Sequence, residues 1–65
     1  MKVVKVSKIL KDLNTEGWYL VNYEGSHRQF EHPTKPGKVT VNGKPSADVW
    51  GSLLKNMENQ SGLIF

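Results

Sequence analysis

A chain of 65 residues has room for a single small domain, and we expect residues 1–65 to form one. It has no cysteine, which excludes disulfides, thiolate zinc sites and cysteine nucleophiles. No apolar run approaches the ~18 residues of a membrane span, and the lysine-interrupted start is unlike a signal peptide. The net charge of +3 favours anionic partners such as nucleic acid. These features predict a cytoplasmic protein that does not contact membranes.

The first predicted element is an amphipathic helix. Its apolar side chains follow the spacing of one helix face: Val6, Ile9, Leu10 and Leu13. Ser7 can cap the start of this helix, because its hydroxyl can accept a hydrogen bond from a free backbone N–H. Gly17 can end the helix, because glycine tolerates the left-handed conformation found there.

Three strands are predicted to follow. Residues 18–23 are rich in aromatic and β-branched side chains, and strict alternation would place Trp18, Leu20 and Asn22 on one face. After a turn at residues 24–26, the second strand, 27–32, completes a hairpin. Its predicted faces are His27, Gln29 and Glu31 on one side, and Arg28, Phe30 and His32 on the other. A loop rich in proline leads to a third strand at 38–41.

A second helix is predicted after Ser46, which is a favourable cap. Its apolar stripe consists of Val49, Trp50, Leu53, Leu54 and Met57. Gly51 weakens this helix by roughly 1 kcal/mol relative to alanine, which predicts fraying or a late start in its first turn. Ser61-Gly62 closes it.

The predicted order is therefore α-β-β-β-α, an α+β fold with a three-stranded antiparallel sheet. Both helices must bury their apolar stripes on one face of the sheet, because no element of this length is stable alone. The other face of the sheet is left open to solvent.

This order resembles the fold of double-stranded-RNA-binding domains, and several short motifs along it resemble the HicA family of toxins. The Gly-Ser-His hairpin of that family is matched by Gly25-Ser26-His27, with Phe30, His32 and Pro33 after it. Gly17-Trp18 is similar to the family's entry into the first strand, and Gly51-Ser52-Leu53 to its Gly-Thr-Leu helix entry. The resemblance spans about residues 7–63.

The resemblance implies an endoribonuclease that cleaves mRNA, with the histidine of the Gly-Ser-His motif as the catalytic residue. In this chain the residue that matches the motif's histidine is His27. It also implies a HicB-like antitoxin that neutralises the toxin. Two departures concern RNA binding. The loop at residues 42–45 lacks the proline and histidine common in the family, and Leu54 and Asn56 stand where basic side chains are common.

The residues agree with a chemistry that needs no metal or cofactor. An imidazole in water titrates near pH 6.5, so a histidine such as His27 can act as base or acid at neutral pH. RNA cleavage needs a base for the 2′-hydroxyl and an acid for the leaving 5′-oxygen. The carboxylates are scattered without the spacing of metal ligands. No second histidine shares the predicted face, so the other proton is expected to come from water or a lysine.

We expect substrate contacts from the turn residues Gly25 and Ser26 and from a basic rim. The rim consists of Arg28, Lys35, Lys38 and Lys44. For any single lysine the plain explanation is solubility, but for the group near His27 phosphate contact is slightly favoured. The substrate is RNA, and we expect no DNA contact by this chain alone. His32 is interpreted as a structural residue at the end of its strand. Tyr19, Tyr23 and Trp50 could stack on bases, with Tyr23 the best of the three because it borders the turn, although the edge of the core is their more common place.

Two other functions fit the sequence. One is a non-catalytic RNA-binding module of the same fold, and the other is a small adaptor that acts only through protein contacts. A passive binder of double-stranded RNA needs basic residues spread over a helix end. A histidine on an open sheet face favours the enzyme, so the position of His27 separates these interpretations.

Overall fold

A computed structural model describes residues 1–65 and contains five strands and two helices. In chain order they are β1 (Val3–Lys5), α1 (Val6–Thr15), β2 (Tyr19–Glu24), β3 (His27–Glu31), β4 (Val39–Asn42), β5 (Asp48–Trp50) and α2 (Gly51–Ser61). Strands β2, β3 and β4 form an antiparallel sheet with β3 in the centre. The predicted α-β-β-β-α order and α+β class are confirmed. Neither helix has the length and apolar character that spanning a bilayer requires.

A second, two-stranded sheet was not predicted. Strands β1 and β5 pair antiparallel, with Val4 opposite Val49, and both valines are buried. The prediction of a helix starting after Ser46 is therefore wrong, because residues 48–50 are extended and α2 begins at Gly51. Gly51 has φ +63°, a conformation that glycine adopts readily and that separates the strand from the helix. The late start suggested by this glycine is what the structure shows.

Helix α1 begins one residue earlier than its predicted cap. The backbone N–H of Val6 donates to the Ala47 carbonyl at 2.9 Å, and that of Ser7 donates to the Pro45 carbonyl at 3.0 Å. Ser7 is thus inside the helix, and its predicted role as the cap is wrong. Carbonyls of the loop before β5 satisfy the first N–H groups instead, so this loop is fixed against the start of α1.

The end of α1 follows the prediction for Gly17. This glycine has φ +93°; its N–H donates to the Asn14 carbonyl at 3.2 Å, and the Trp18 N–H donates to the Leu13 carbonyl at 2.9 Å. The two bonds form the Schellman arrangement, in which buried apolar residues on either side of the glycine accompany the turn. Leu13 and Trp18 are both buried. The turn directs the chain from α1 into the sheet.

The core lies between the helices and one face of the sheet, which we call the inner face. Twelve buried apolar residues form it: Val4, Val6, Ile9, Leu13, Trp18, Phe30, Val39, Val41, Val49, Leu54, Met57 and Phe65. The helices cover β3 and β4, whereas all six residues of the edge strand β2 are exposed. The ladder between β2 and β3 shifts register between Leu20 and Asn22. This irregularity breaks the strict alternation predicted for residues 18–23.

Glu58 of α2 connects the two ends of the described chain. Its Oε2 accepts from the Lys2 Nζ at 2.8 Å and from the backbone N–H of Phe65 at 3.1 Å. The hydrogen bond from Lys2 is the main cause that lowers the pKa of the Glu58 carboxyl below its ordinary value, and the Phe65 N–H adds to it. The contact holds Phe65 where its side chain fills the core.

We predict that Gly17→Ala destabilises the protein more than Gly37→Ala does. Both glycines have positive φ, +93° and +83°, so alanine costs about 1–2 kcal/mol at either position. An added Cβ at Gly17 would also lie 3.0 Å from the His32 Nε2, whereas nothing lies within 4 Å at Gly37. Urea unfolding of the two variants measures the difference. Equal losses would contradict the close packing of His32 against this turn.

Candidate active site

The open side of the three-stranded sheet, here called the outer face, carries the predicted catalytic histidine. Antiparallel partners directly opposite each other share a face, so the register identifies its members. They are Tyr19, Asn22 and Glu24 of β2, His27, Gln29 and Glu31 of β3, and Thr40 and Asn42 of β4. The predicted alternation of β3 is confirmed: His27 is exposed, while Arg28 and Phe30 are buried.

His27 is the first residue of the central strand and has a polar neighbour on each side. Glu24 is its partner on β2, and Asn42 is its partner on β4. The His27 Nδ1 and the Asn42 Oδ1 are 2.5 Å apart, a hydrogen bond between exposed side chains. The imidazole is therefore held from one side while its other edge remains open to solvent.

The turn before His27 is linked to the loop after β4. Gly25 has φ +59°, and nothing lies within 4 Å of the position a Cβ would take. The Gly43 N–H donates to the Ser26 carbonyl at 3.2 Å. The turn is thus held by its backbone and leaves free space beside the histidine, as the proposed contacts of Gly25 and Ser26 with substrate require.

Arg28 lies on the inner face, away from His27. It is only 8% exposed, its Nη1 donates to the Gly43 carbonyl at 2.7 Å, and its guanidinium lies over the Tyr23 ring at 5.1 Å. The expected place of Arg28 in a basic rim around His27 is therefore corrected: its side chain connects β2, β3 and the loop after β4. Although the two residues are adjacent in sequence, strand alternation separates them.

The three lysines of the expected rim are also separated. Lys38 is at the far end of the outer face, where its Nζ is 3.7 Å from the Glu31 Oε2. The Lys35 Nζ lies beside Gly62, at the end of α2. Glu31 is four residues along the strand from His27, a span of roughly 13 Å. Only Lys44, two residues after Asn42, is at the His27 end of the sheet, and it forms no ion pair.

His32 has the contacts of a structural residue. Its Nε2 donates to the Glu16 carbonyl at 2.9 Å, since a carbonyl can only accept. Its Nδ1 accepts from the backbone N–H groups of Thr34 at 3.1 Å and Lys35 at 3.2 Å. The ring packs edge-on against Trp18, with centroids 5.3 Å apart. These bonds connect the end of α1 to the loop after β3, which agrees with the structural interpretation of this histidine.

Tyr19, Tyr23 and Trp50 are each about half exposed or more, so none of them is a core residue. Tyr19 belongs to the outer face, Tyr23 contacts the Arg28 guanidinium, and Trp50 lies on the separate two-stranded sheet. Of the three, Tyr19 is the aromatic ring that shares a face with His27.

The outer face is a surface and not a cleft. The three cavities of the structure have volumes of about 320, 280 and 410 Å³, and none includes His27. No group of three or more His, Asp or Glu side chains is close enough to hold a metal ion. A long flexible substrate such as single-stranded RNA can lie across such a face, whereas a small molecule would be poorly enclosed.

Sequence reasoning missed Asn42 as a site residue. Asn42 was assigned to a loop from the sequence, as its first residue, because the third strand was predicted to end at residue 41. Its alternation with Thr40 was the signal available, since every second residue of a strand shares a face. Its pairing with His27, however, depends on a register that the sequence does not specify.

Comparison with known proteins gives one family match. The sequence model of the family described as HicA toxin of bacterial toxin–antitoxin matches residues 6–63. No curated protein sequence matches the chain. The matched range includes both helices and all three strands of the larger sheet, and with them the row formed by Glu24, His27 and Asn42.

Proposed function

Because the chain belongs to the HicA family of toxins of bacterial toxin–antitoxin systems, we propose that it is a cytoplasmic endoribonuclease that cleaves mRNA. His27 is the proposed general acid–base, and no metal or cofactor takes part. The observation that carries this proposal is the position of His27, exposed on an open face and held by Asn42 through one ring nitrogen. A free ring edge beside a rigid strand is what proton exchange with a bound polymer requires.

The proposed reaction uses the 2′-hydroxyl of the RNA as its nucleophile. A base removes the hydroxyl proton, the 2′-oxygen bonds to phosphorus, and the bond from phosphorus to the 5′-oxygen breaks. An acid gives a proton to the departing 5′-oxygen. The products are a 2′,3′-cyclic phosphate and a 5′-hydroxyl. An imidazole can perform either proton transfer, with water or Lys44 supplying the other.

Phosphate contacts are proposed to come from the end of the sheet that carries His27. The backbone around Gly25 and Ser26 leaves space there, and Lys44 forms no ion pair with the protein. Lys38 forms an ion pair with Glu31 and would contact RNA only along a longer path over the outer face. Arg28 supports this region from the inner face and is not proposed to contact phosphate.

We predict that His27→Ala abolishes RNA cleavage and growth arrest. Loss of a general acid–base typically costs about 10²–10⁴-fold in rate. Gln29→Ala is the matched control, because Gln29 lies on the same strand and the same face. Both variants are checked for folding by thermal unfolding. Cleavage by folded His27→Ala at near the wild-type rate would contradict the catalytic assignment, whereas RNA binding without cleavage by the wild type would favour the passive binding module.

We predict that cleavage continues in excess EDTA, since the proposed proton transfers need only side chains and water. The assay compares the rate in chelator with the rate after magnesium or manganese is added back. Loss in chelator, together with recovery on addition of metal, would overturn the metal-independent mechanism even if His27 proved essential.

We predict that Lys44→Glu weakens RNA binding more than Lys35→Glu does. The two substitutions change the net charge equally, so the comparison isolates position. Each phosphate contact releases counterions, so the slope of binding against salt should flatten for Lys44→Glu by about 0.7 for a single strand. Both lysine substitutions are made in the inactive His27→Ala protein, so that the RNA is not cleaved. Filter binding at several salt concentrations then measures the affinity and its salt slope. Equal losses would indicate a diffuse charge effect.

The partner implied by the family is an antitoxin, and we propose that a HicB-like protein covers the outer face and the edge strand β2. This region combines the exposed histidine with apolar side chains that are about half exposed, among them Tyr19 at 48%, Leu20 at 46% and Val21 at 43%. Exposed apolar strands at a sheet edge are common sites of protein association. Acidic side chains on the partner would also attract Lys44 and the net positive chain.

We predict that Tyr19→Ala weakens antitoxin binding while Trp50→Ala does not. The two aromatic side chains are similarly exposed, at 48% and 52%, but only Tyr19 is on the outer face. Titration calorimetry measures affinity, and hydrogen exchange of the complex maps the contact. Protection restricted to the helices, with amides 25–30 unchanged, would contradict occlusion and would indicate a partner that acts from the Trp50 side.

A further inference from the structure

We infer that Asn42 is a positioning residue that fixes the tautomer of His27, so that Nε2 is the atom that exchanges protons with the RNA. The inference rests on the proposed ribonuclease function and adds a role that neither the sequence motifs nor the family match assigns. The observation behind it is the 2.5 Å bond between the His27 Nδ1 and the Asn42 Oδ1.

The direction of this bond follows from its chemistry. An amide oxygen can only accept, so the proton between the two atoms belongs to the His27 Nδ1. In the neutral ring, the nitrogen that carries the proton is set by the hydrogen bond that the ring makes. With Nδ1 protonated, the lone pair of the neutral ring is on Nε2, and that atom can accept a proton from a 2′-hydroxyl.

Without this bond the ring would favour the wrong arrangement for a base. A free neutral imidazole side chain prefers its proton on Nε2, which leaves the lone pair on Nδ1, next to the backbone. Asn42 reverses that preference. When the ring is doubly protonated, both the bond to Asn42 and an acidic Nε2–H are present, so the same atom can return a proton to a leaving oxygen.

The geometry gives Asn42 a fixed place relative to His27. The two residues are direct partners in the antiparallel ladder between β3 and β4, and such partners have Cβ atoms about 4.5–5.5 Å apart. Asn42 is amidic, so it orients the ring without adding charge. The charged residues beside this pair are Glu24, opposite His27 on β2, Arg28, next to His27 but bonded to the Gly43 carbonyl from the inner face, and Lys44, two residues after Asn42.

The structure provides an internal reference for the test. His32 holds the opposite tautomer, because its Nε2 donates to the Glu16 carbonyl and its Nδ1 accepts from two backbone N–H groups. In a nitrogen-15 NMR spectrum of the intact chain at a pH where both rings are neutral, we expect the His27 proton on Nδ1 and the His32 proton on Nε2. In Asn42→Ala, the His27 proton should move largely to Nε2 while His32 stays unchanged.

Kinetics show whether the tautomer matters for cleavage. Asn42→Ala should lower kcat with little change in KM. The loss in kcat should be smaller than the roughly 10²–10⁴-fold loss expected when the imidazole itself is removed. Asn42→Asp retains an acceptor for Nδ1 and should restore the tautomer, and its added negative charge should move the acid limb of the pH–rate profile to higher pH. Thr40→Ala is the control, since Thr40 is the adjacent outer-face residue of β4, opposite Gln29.

Each outcome decides the inference. A His27 proton on Nε2 in the wild type, or an Asn42→Ala protein with unchanged tautomer or unchanged kcat, would overturn it. If the wild type cleaves no RNA although the NMR shows the expected tautomers, the ribonuclease proposal fails while the structural effect of Asn42 stands. If cleavage depends on His27 but not on Asn42, the function stands and this inference fails.

Discussion

The arrangement of the site depends on the alternation of one strand, β3. As the central strand of its sheet it must bury one face against the helices, and Phe30 with Arg28 occupies that side. The alternate residues are then forced outward, which places His27 on the outer face between Glu24 and Asn42. A shift of one residue would exchange the two sets completely. The same packing that makes this small domain stable therefore keeps its histidine available to solvent.

The turns next to β3 keep this register in place. Arg28 binds the Gly43 carbonyl from the inner side, and the Gly43 N–H binds the Ser26 carbonyl. Because Ser26 precedes His27 and Gly43 follows Asn42, these bonds fix the backbone on which both members of the Asn42–His27 pair lie. Arg28 supports the site in this way, although its charge and its position next to His27 in sequence suggested a phosphate ligand. A buried guanidinium bonded to backbone stabilises a loop and is not free for a substrate.

Most of the fold was predictable because its signals are local. The stripe of α1, the end at Gly17 and the alternation from His27 to Glu31 are each set by neighbouring residues. The pairing of β1 with β5 was not predictable, because it joins segments more than forty residues apart through only three pairs of residues. In addition, an apolar strand as short as β5 resembles the first turn of a helix in sequence. The bond to Asn42 was missed for the same reason, since it depends on the register between β3 and β4. The separation of Lys35 from Lys44 was missed because each lies in a loop between elements, and the sequence does not specify the path of such a loop.

The central claim is that the RNA is cleaved by attack of its own 2′-hydroxyl, a reaction in which a histidine such as His27 can transfer the protons. End-group analysis of the cleaved RNA by mass spectrometry tests this claim most directly. The account predicts a 2′,3′-cyclic phosphate, or the monophosphate formed by its hydrolysis, on one fragment and a 5′-hydroxyl on the other, and no cleavage where the 2′-hydroxyl is replaced by hydrogen. A 5′-phosphate with a 3′-hydroxyl, or cleavage at the 2′-deoxy position, would show that water is the nucleophile and would contradict it.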